Sequence, residues 1–255
     1  MDNGLLVGLS RQTALERQFD VVANNIANLN TFGFKSTSSV FEEYLTSDAR
    51  ENEFGTADAQ VRFVDDRTSF RNFDQGPIQR TGNPLDIALD GNAFLAVQAA
   101  GGERYTRNGA LHINADGELV TADGDRVAGD SGPIVFQATD RNISISADGR
   151  LTAIEGANTS VESLRGKLKL VSFARPQQLQ AEGATLFSAP AGLTQQAATA
   201  VRVIQGAVEG SNVNGVLEMT RMIEINRTYT LINAMLKSRD DQQKNTIDKL
   251  AQVPS

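Results

Sequence analysis

The sequence predicts an α+β chain: a helix at each end and an all-β region of short strands between them. Three observations predict it. Apolar residues recur at helical spacing between Leu5 and Leu29. They do so again between Met222 and Leu236. From Arg80 to about Pro190 the rhythm changes to alternation of period two, punctuated by Asp-Gly pairs.

The first helix carries Leu5, Leu9, Leu15, Phe19, Val22, Ile26 and Leu29 in alternating steps of four and three, with polar Gln12 filling one slot. This is the spacing of a coiled-coil seam. Such a helix is about 35–40 Å long. The residues that follow are polar and Gly-punctuated, so the stripe needs a partner from the far end of the chain or from another chain. Asn24, Asn25, Asn28 and Asn30 crowd its end. Asn competes for backbone hydrogen bonds and suits caps and turns. Gly33 can then take a positive φ and reverse the chain.

Residues 36–79 form a linking region. Phe41, Tyr44 and Leu45 suggest one further helical turn, and Asp48 to Asp58 a loop. Val61 to Val64 and Thr68 to Phe73 read as short strands on either side of Asp65-Asp66-Arg67, before a turn at Gly76-Pro77.

The central β domain is placed at 80–190. Leu85, Ile87 and Leu89 alternate with polar or small residues, and Phe94 to Val97 follows. Asp116-Gly117, Asp123-Gly124 and Asp148-Gly149 predict hairpins, because both residues tolerate positive φ. The stretch Ile113 to Leu119 is echoed by Ile145 to Leu151. Lys167 to Phe173 reads as one more strand with Lys on its solvent face.

Residues 191–255 are a linker and the long C-terminal helix. Ser211 or Asn212 is the expected N-cap. Met222, Ile225, Tyr229, Ile232 and Leu236 form a second seam. From Asn212 to Leu250 the segment would reach nearly 60 Å. Met219, Met222 and Met235 are read as core or seam rather than a docking surface.

Composition excludes several classes. The net charge of −7 argues against nucleic acid as the main partner. There is no Cys, hence no disulfide and no thiolate chemistry. No run of about 18 apolar residues exists to span a membrane. The start, Met1-Asp2-Asn3, lacks the basic opening of a secretory signal. Gly129-Asp130-Ser131-Gly132-Pro133 looks like the surroundings of a protease nucleophile, but the one His, His112, sits in a separate expected strand. Asp116, Asp123, Asp125 and Asp130 are spread over separate turns rather than gathered in a calcium loop. No catalytic residue, cofactor, metal ion or small-molecule substrate is therefore expected.

Asn24-Asn25-Ile26-Ala27-Asn28-Leu29-Asn30-Thr31-Phe32-Gly33-Phe34-Lys35 resembles the N-terminal signature of the bacterial flagellar rod and hook proteins. Met1 to Gln12 is similar to the proximal-rod member. Thr81 to Gly91, Tyr105 to Gly109 and Gly117 to Thr121 resemble the family's central β region. Ser211-Asn212-Val213, Glu218-Met219, Met222-Ile223 and Arg227-Thr228-Tyr229 resemble its C-terminal signature, with departures at Asn226 and at Thr230 to Asn233.

The resemblance implies a structural subunit of the proximal rod, crossing the periplasm. It implies export without a cleaved signal, through the flagellar type III apparatus. Its partners would be further copies and neighbouring rod subunits. The terminal helices would form an inner α layer, paired within or across subunits, with the β domain outward. Leu5, Leu9, Leu15, Phe19, Val22, Ile26, Leu29, Met222, Ile225, Tyr229, Ile232 and Leu236 are then the expected subunit contacts. The alternative is a soluble β-domain binding module that dimerises through its helical arms.

Overall fold

The computed structural model describes residues 3–46, 61–156, 162–198 and 200–251. The loop expected at Asp48 to Asp58 lies outside them. The described chain is α+β, with a helix near each end and a β-rich middle. It divides into two compact units. The helical unit comprises 1–27, 37–70 and 214–255, and the β unit 28–36 and 71–213.

In the helical unit, α1 (Asn3–Ala27) and α2 (Gly215–Ala251) are long helices, about 37 Å and 55 Å at 1.5 Å per residue. No helix among the described residues is long and apolar enough to cross a membrane. The Asn25 amide donates to Thr37 O (2.8 Å) and accepts from Thr37 N (2.9 Å), fixing the last turn of α1 to the start of a strand. That strand, Thr37–Thr46, stands where a further helical turn was expected, and it pairs with Val61–Arg71. Val61–Arg71 is itself one strand, not two flanking Asp65 and Asp66. α2 is capped by Asn214, whose Oδ1 accepts from Leu217 N (3.2 Å), and not by Ser211 or Asn212. Those two side chains bond elsewhere.

The β unit is built on the strand Phe94–Ala99. It pairs antiparallel with Gly102–Thr106, Arg126–Gly129 and Leu170–Phe173. Its side chains alternate between two cores, as a strand of period two requires. Leu95 and Val97 join Ile87, Leu119, Ile134, Leu151 and Leu168 in an aliphatic cluster. Phe94 joins an aromatic one, with rings of Phe73, Phe173 and Phe187 edge-on at 5.6, 5.8 and 6.0 Å. Glu162–Lys167 and Leu170–Phe173 are separate strands, because Leu168 turns into the aliphatic core between them.

The two echoed stretches build the same turn. Asn114 N donates to Glu118 O (3.0 Å) and Gly117 N to Asn114 O (3.0 Å). Ser146 N donates to Arg150 O (2.9 Å) and Gly149 N to Ser146 O (2.9 Å). Gly117 and Gly149 have φ of +83° and +82°, which an L side chain resists. Pairing continues after residue 190, through Gln195–Ala197, Arg202–Gln205 and Ala207–Glu209.

Candidate assembly surface

The helical unit holds most of the residues singled out for subunit contact. On α2, Met222, Ile225, Tyr229, Ile232 and Leu236 are all half-buried and share one side of the helix. Tyr229 O–H is bonded across to α1, accepting from Gln12 Nε2 at 3.0 Å and donating to Glu16 Oε1 at 3.4 Å. Near the other end, a Cβ placed on Gly8 would lie 2.6 Å from Leu236 Cδ2, so the absence of a side chain there lets the helices close up.

The packed side of α1 is thus not the apolar stripe alone. Gly8, Gln12, Leu15 and Val22 are half-buried or buried, while Leu9 is 52% and Phe19 38% exposed. Ile26 is half-buried and Leu5 lies in the first turn of α1. Leu29 is past the helix end and belongs to the β unit, because α1 stops at Ala27.

Opposite its seam, α2 presents a second apolar surface. Val216, Leu217, Met219, Ile223, Leu231 and Met235 are exposed, Val216 and Leu231 at 78% and 70%. At 100° per residue, Val216, Met219, Ile223 and Leu231 fall within about 60° of one direction, roughly opposite Ile225. Met219 therefore faces outward, Met235 is exposed on the flank between that face and the seam, and Met222 belongs to the seam. Large exposed apolar groups gathered on one face mark interaction surfaces.

The motif residues after α1 serve a different purpose, inside the β unit. Thr31 Oγ1 donates to Asn28 Oδ1 (3.1 Å), closing the turn. Asn30 is exposed, as is Asn24 within the last turns of α1 in the helical unit. Gly33 has φ +71°, its N–H donates to Glu209 O (2.8 Å), and a Cβ there would lie 2.3 Å from Asn108 N. Only glycine fits. Phe34 is fully buried.

Lys35, also fully buried, donates through Nζ to Glu209 Oε1 and to Asp74 O, both at 2.6 Å. The other oxygen of Glu209 accepts from Arg107 Nη1 at 3.1 Å, and Gly76 N donates to Oε1 at 2.9 Å. Burial pushes the Lys35 ammonium and the Arg107 guanidinium below their ordinary ranges, against the pull of Glu209. Asn212 completes the tie: its Oδ1 accepts from Ser36 N (2.7 Å) and its Nδ2 donates to Asn72 O (2.8 Å) and Asp74 O (3.0 Å). Ser211 Oγ accepts from Val213 N at 3.3 Å. One carboxylate thus gathers segments 174 residues apart. Nothing in the sequence marks Glu209 for this role, since its partners arrive from three distant stretches.

His112 is exposed on the strand Leu111–Ile113, and Ser131 is exposed in a tight turn between Arg126–Gly129 and Gly132–Pro133. Neither is placed for nucleophilic chemistry.

Three family models match. Residues 5–35 match the flagella basal body rod protein model, 88–153 the flagellar hook protein FlgE/F/G D1 domain, and 204–249 the flagellar basal body rod FlgEFG protein C-terminal model. Among similar proteins, the flagellar basal-body rod protein FlgF of Caulobacter vibrioides is 36% identical, over 99% of this chain and 100% of its own. FlgF of Mesorhizobium japonicum is 32% identical over 98% of each chain. The flagellar basal-body rod protein FlgG of Agrobacterium fabrum is 32% identical over 93% of this chain and 95% of its own. Matches of this identity across almost the whole length, together with motifs at both ends and in the middle, decide the matter: the chain belongs to the flagellar basal-body rod protein family, as a structural subunit of the rod and not an enzyme.

Proposed function

We propose that the chain is a proximal-rod subunit that polymerises, with copies of itself and with neighbouring rod subunits, into the axial drive shaft for motility. The exposed apolar face of α2 carries this reading. A helix already packed along one side has no reason within its own unit to present Val216, Met219, Ile223 and Leu231 to water. Each such side chain removed from water contributes about 1.5–3 kcal/mol. The similarity of Met1 to Gln12 to the proximal-rod member supports the position along the rod.

The α1–α2 pair acts as a coiled-coil-like layer whose outer side meets the next subunit. The residues of the two seams, from Leu5 to Leu29 and from Met222 to Leu236, hold that layer together or extend it across subunits. The Asp-Gly hairpins keep the β region short-stranded and rigid. The division of labour is between terminal helices, a linking segment and a central β region. The chain reaches the rod through the flagellar export apparatus and spans the periplasm in the assembly.

Sedimentation of the purified chain at rising concentration tests the reading. Open-ended growth that disappears when α2 is removed supports it, because a head-to-tail contact that does not close gives a filament. A closed dimer that requires both helical arms supports the binding-module alternative instead.

A further inference from the structure

The outward face of α2 carries one side chain that covalent chemistry can turn from apolar to polar. Met219 is 53% exposed there, three positions after Val216 and four before Ile223, which are 78% and 54% exposed. Residues so spaced are neighbours on a helix surface. Its thioether is therefore open to solvent beside two exposed aliphatic side chains. The chain contains no Cys and no Trp. A mild oxidant such as hydrogen peroxide is thus left with methionine sulfur as its readiest target.

The other methionines of α2 are placed differently. Met222 is half-buried on the seam. Met235 is 64% exposed, but it lies about 100° around the helix from Val216, on the flank. Peroxide reaches Met235 as readily, and its sulfoxide stays in water. Only at Met219 does an exposed sulfur coincide with the outward apolar face.

We infer that Met219 is a modification site at which oxidation to the sulfoxide blocks assembly. The sulfur lone pair attacks one oxygen of hydrogen peroxide. An S–O bond forms, the O–O bond breaks, and the other oxygen leaves as water with both protons. Sulfur is oxidised and the peroxide reduced. The product is a polar, chiral side chain whose oxygen accepts hydrogen bonds. In the free subunit water donates to it. On the face itself the adjacent hydroxyl is engaged, since Thr220 Oγ1 donates to Val216 O at 2.9 Å. Covering the face leaves the new oxygen unpaired, and a buried polar group without a partner is costly. Oxidation therefore penalises the covered state and not the fold. This inference rests on the rod reading and adds its regulation.

Sedimentation of the purified chain at rising concentration, before and after brief treatment with dilute hydrogen peroxide, tests it. Peptide mass spectrometry reads the sulfoxide at each methionine. Oxidation of the wild type is expected to raise the concentration at which growth begins by about ten-fold, the equivalent of one unpaired polar group, with the melting temperature unchanged. Met219→Leu, a swap of similar volume, should grow like the untreated wild type and continue to do so after the same treatment. Met235→Leu should lose growth on oxidation as the wild type does. Unchanged growth of the wild type with Met219 fully converted overturns the inference. So does an equal loss of growth by Met219→Leu, or conversion of Met222 ahead of Met219. These failures leave the rod reading standing, whereas an untreated wild type that never grows contradicts that reading and the inference with it.

Discussion

The two units bury themselves differently. The β unit closes both of its cores around one strand and buries a paired ion cluster, in which Glu209 takes Lys35 on one oxygen and Arg107 on the other. The helical unit packs α1 on α2 along one side and leaves apolar residues exposed on the other, with Leu9 and Phe19 exposed on α1 as well. The first is a finished interior. The second is half of one. On the proposed reading stability and assembly fall to separate residues, and substitutions in the two units should fail in different ways.

The largest effect is expected at Glu209. Glu209→Ala leaves two buried cations without their carboxylate, a change that costs about 3–5 kcal/mol when one partner of a buried pair is removed. Chemical denaturation of the isolated subunit reads it directly. A loss below about 1 kcal/mol would mean that the β unit does not depend on this tie.

Ile26→Asp is expected to abolish swimming while leaving the β unit folded, as followed by its near-ultraviolet dichroism. Normal swimming by this variant contradicts the seam. Leu231→Ser sharpens the contrast further. Surface substitutions usually stay within about 0.5 kcal/mol, so the free subunit should melt like the wild type. Rod assembly should nonetheless fall. Equal assembly would show that this face meets nothing.

The smallest effect concerns Tyr105, whose hydroxyl donates to Gln195 Oε1 at 2.8 Å within the aromatic core. Burial, with Glu103 adding to it, pushes its phenol up to about 12. A raised folded-state value for an acid means that its contribution to stability is complete below about pH 10 and is lost as the pH climbs toward 12. The phenolate absorbance of Tyr105 should appear only in that upper range, isolated by comparison with Tyr105→Phe. Titration near 10 would place the ring in water.

Particular residues show what could be read from the sequence. The α+β plan was legible because helical and strand periods differ so plainly. The packed side of α2 was legible because it is apolar at every third or fourth position. That of α1 was not: Gly8 and Gln12 serve on it, the first by being small and the second by a hydrogen bond to Tyr229, and hydropathy flags neither. The outer face of α2 was missed because Met219 looks like core in composition, as does the exposed Met235 on its flank, and only a partner helix decides which side faces in. Phe41, Tyr44 and Leu45 lie three and one apart, a spacing that a strand tolerates equally well, and the Asn25–Thr37 bonds commit the chain to the strand. The Lys35–Glu209–Arg107 cluster was out of reach for a different reason. Charge pairing between segments 174 residues apart leaves no local pattern.

The outward face of α2 should be covered in the rod and bare in the free subunit. Met219 lies on that exposed surface, and the half-buried Met222 on the seam supplies an internal reference. Oxidative footprinting of the purified chain and of isolated basal bodies, read as sulfoxide at each methionine, measures the claim directly. Met219 should oxidise readily in the free subunit and lose most of that reactivity in the rod, while Met222 changes little. Equal oxidation of Met219 in both states would contradict the account.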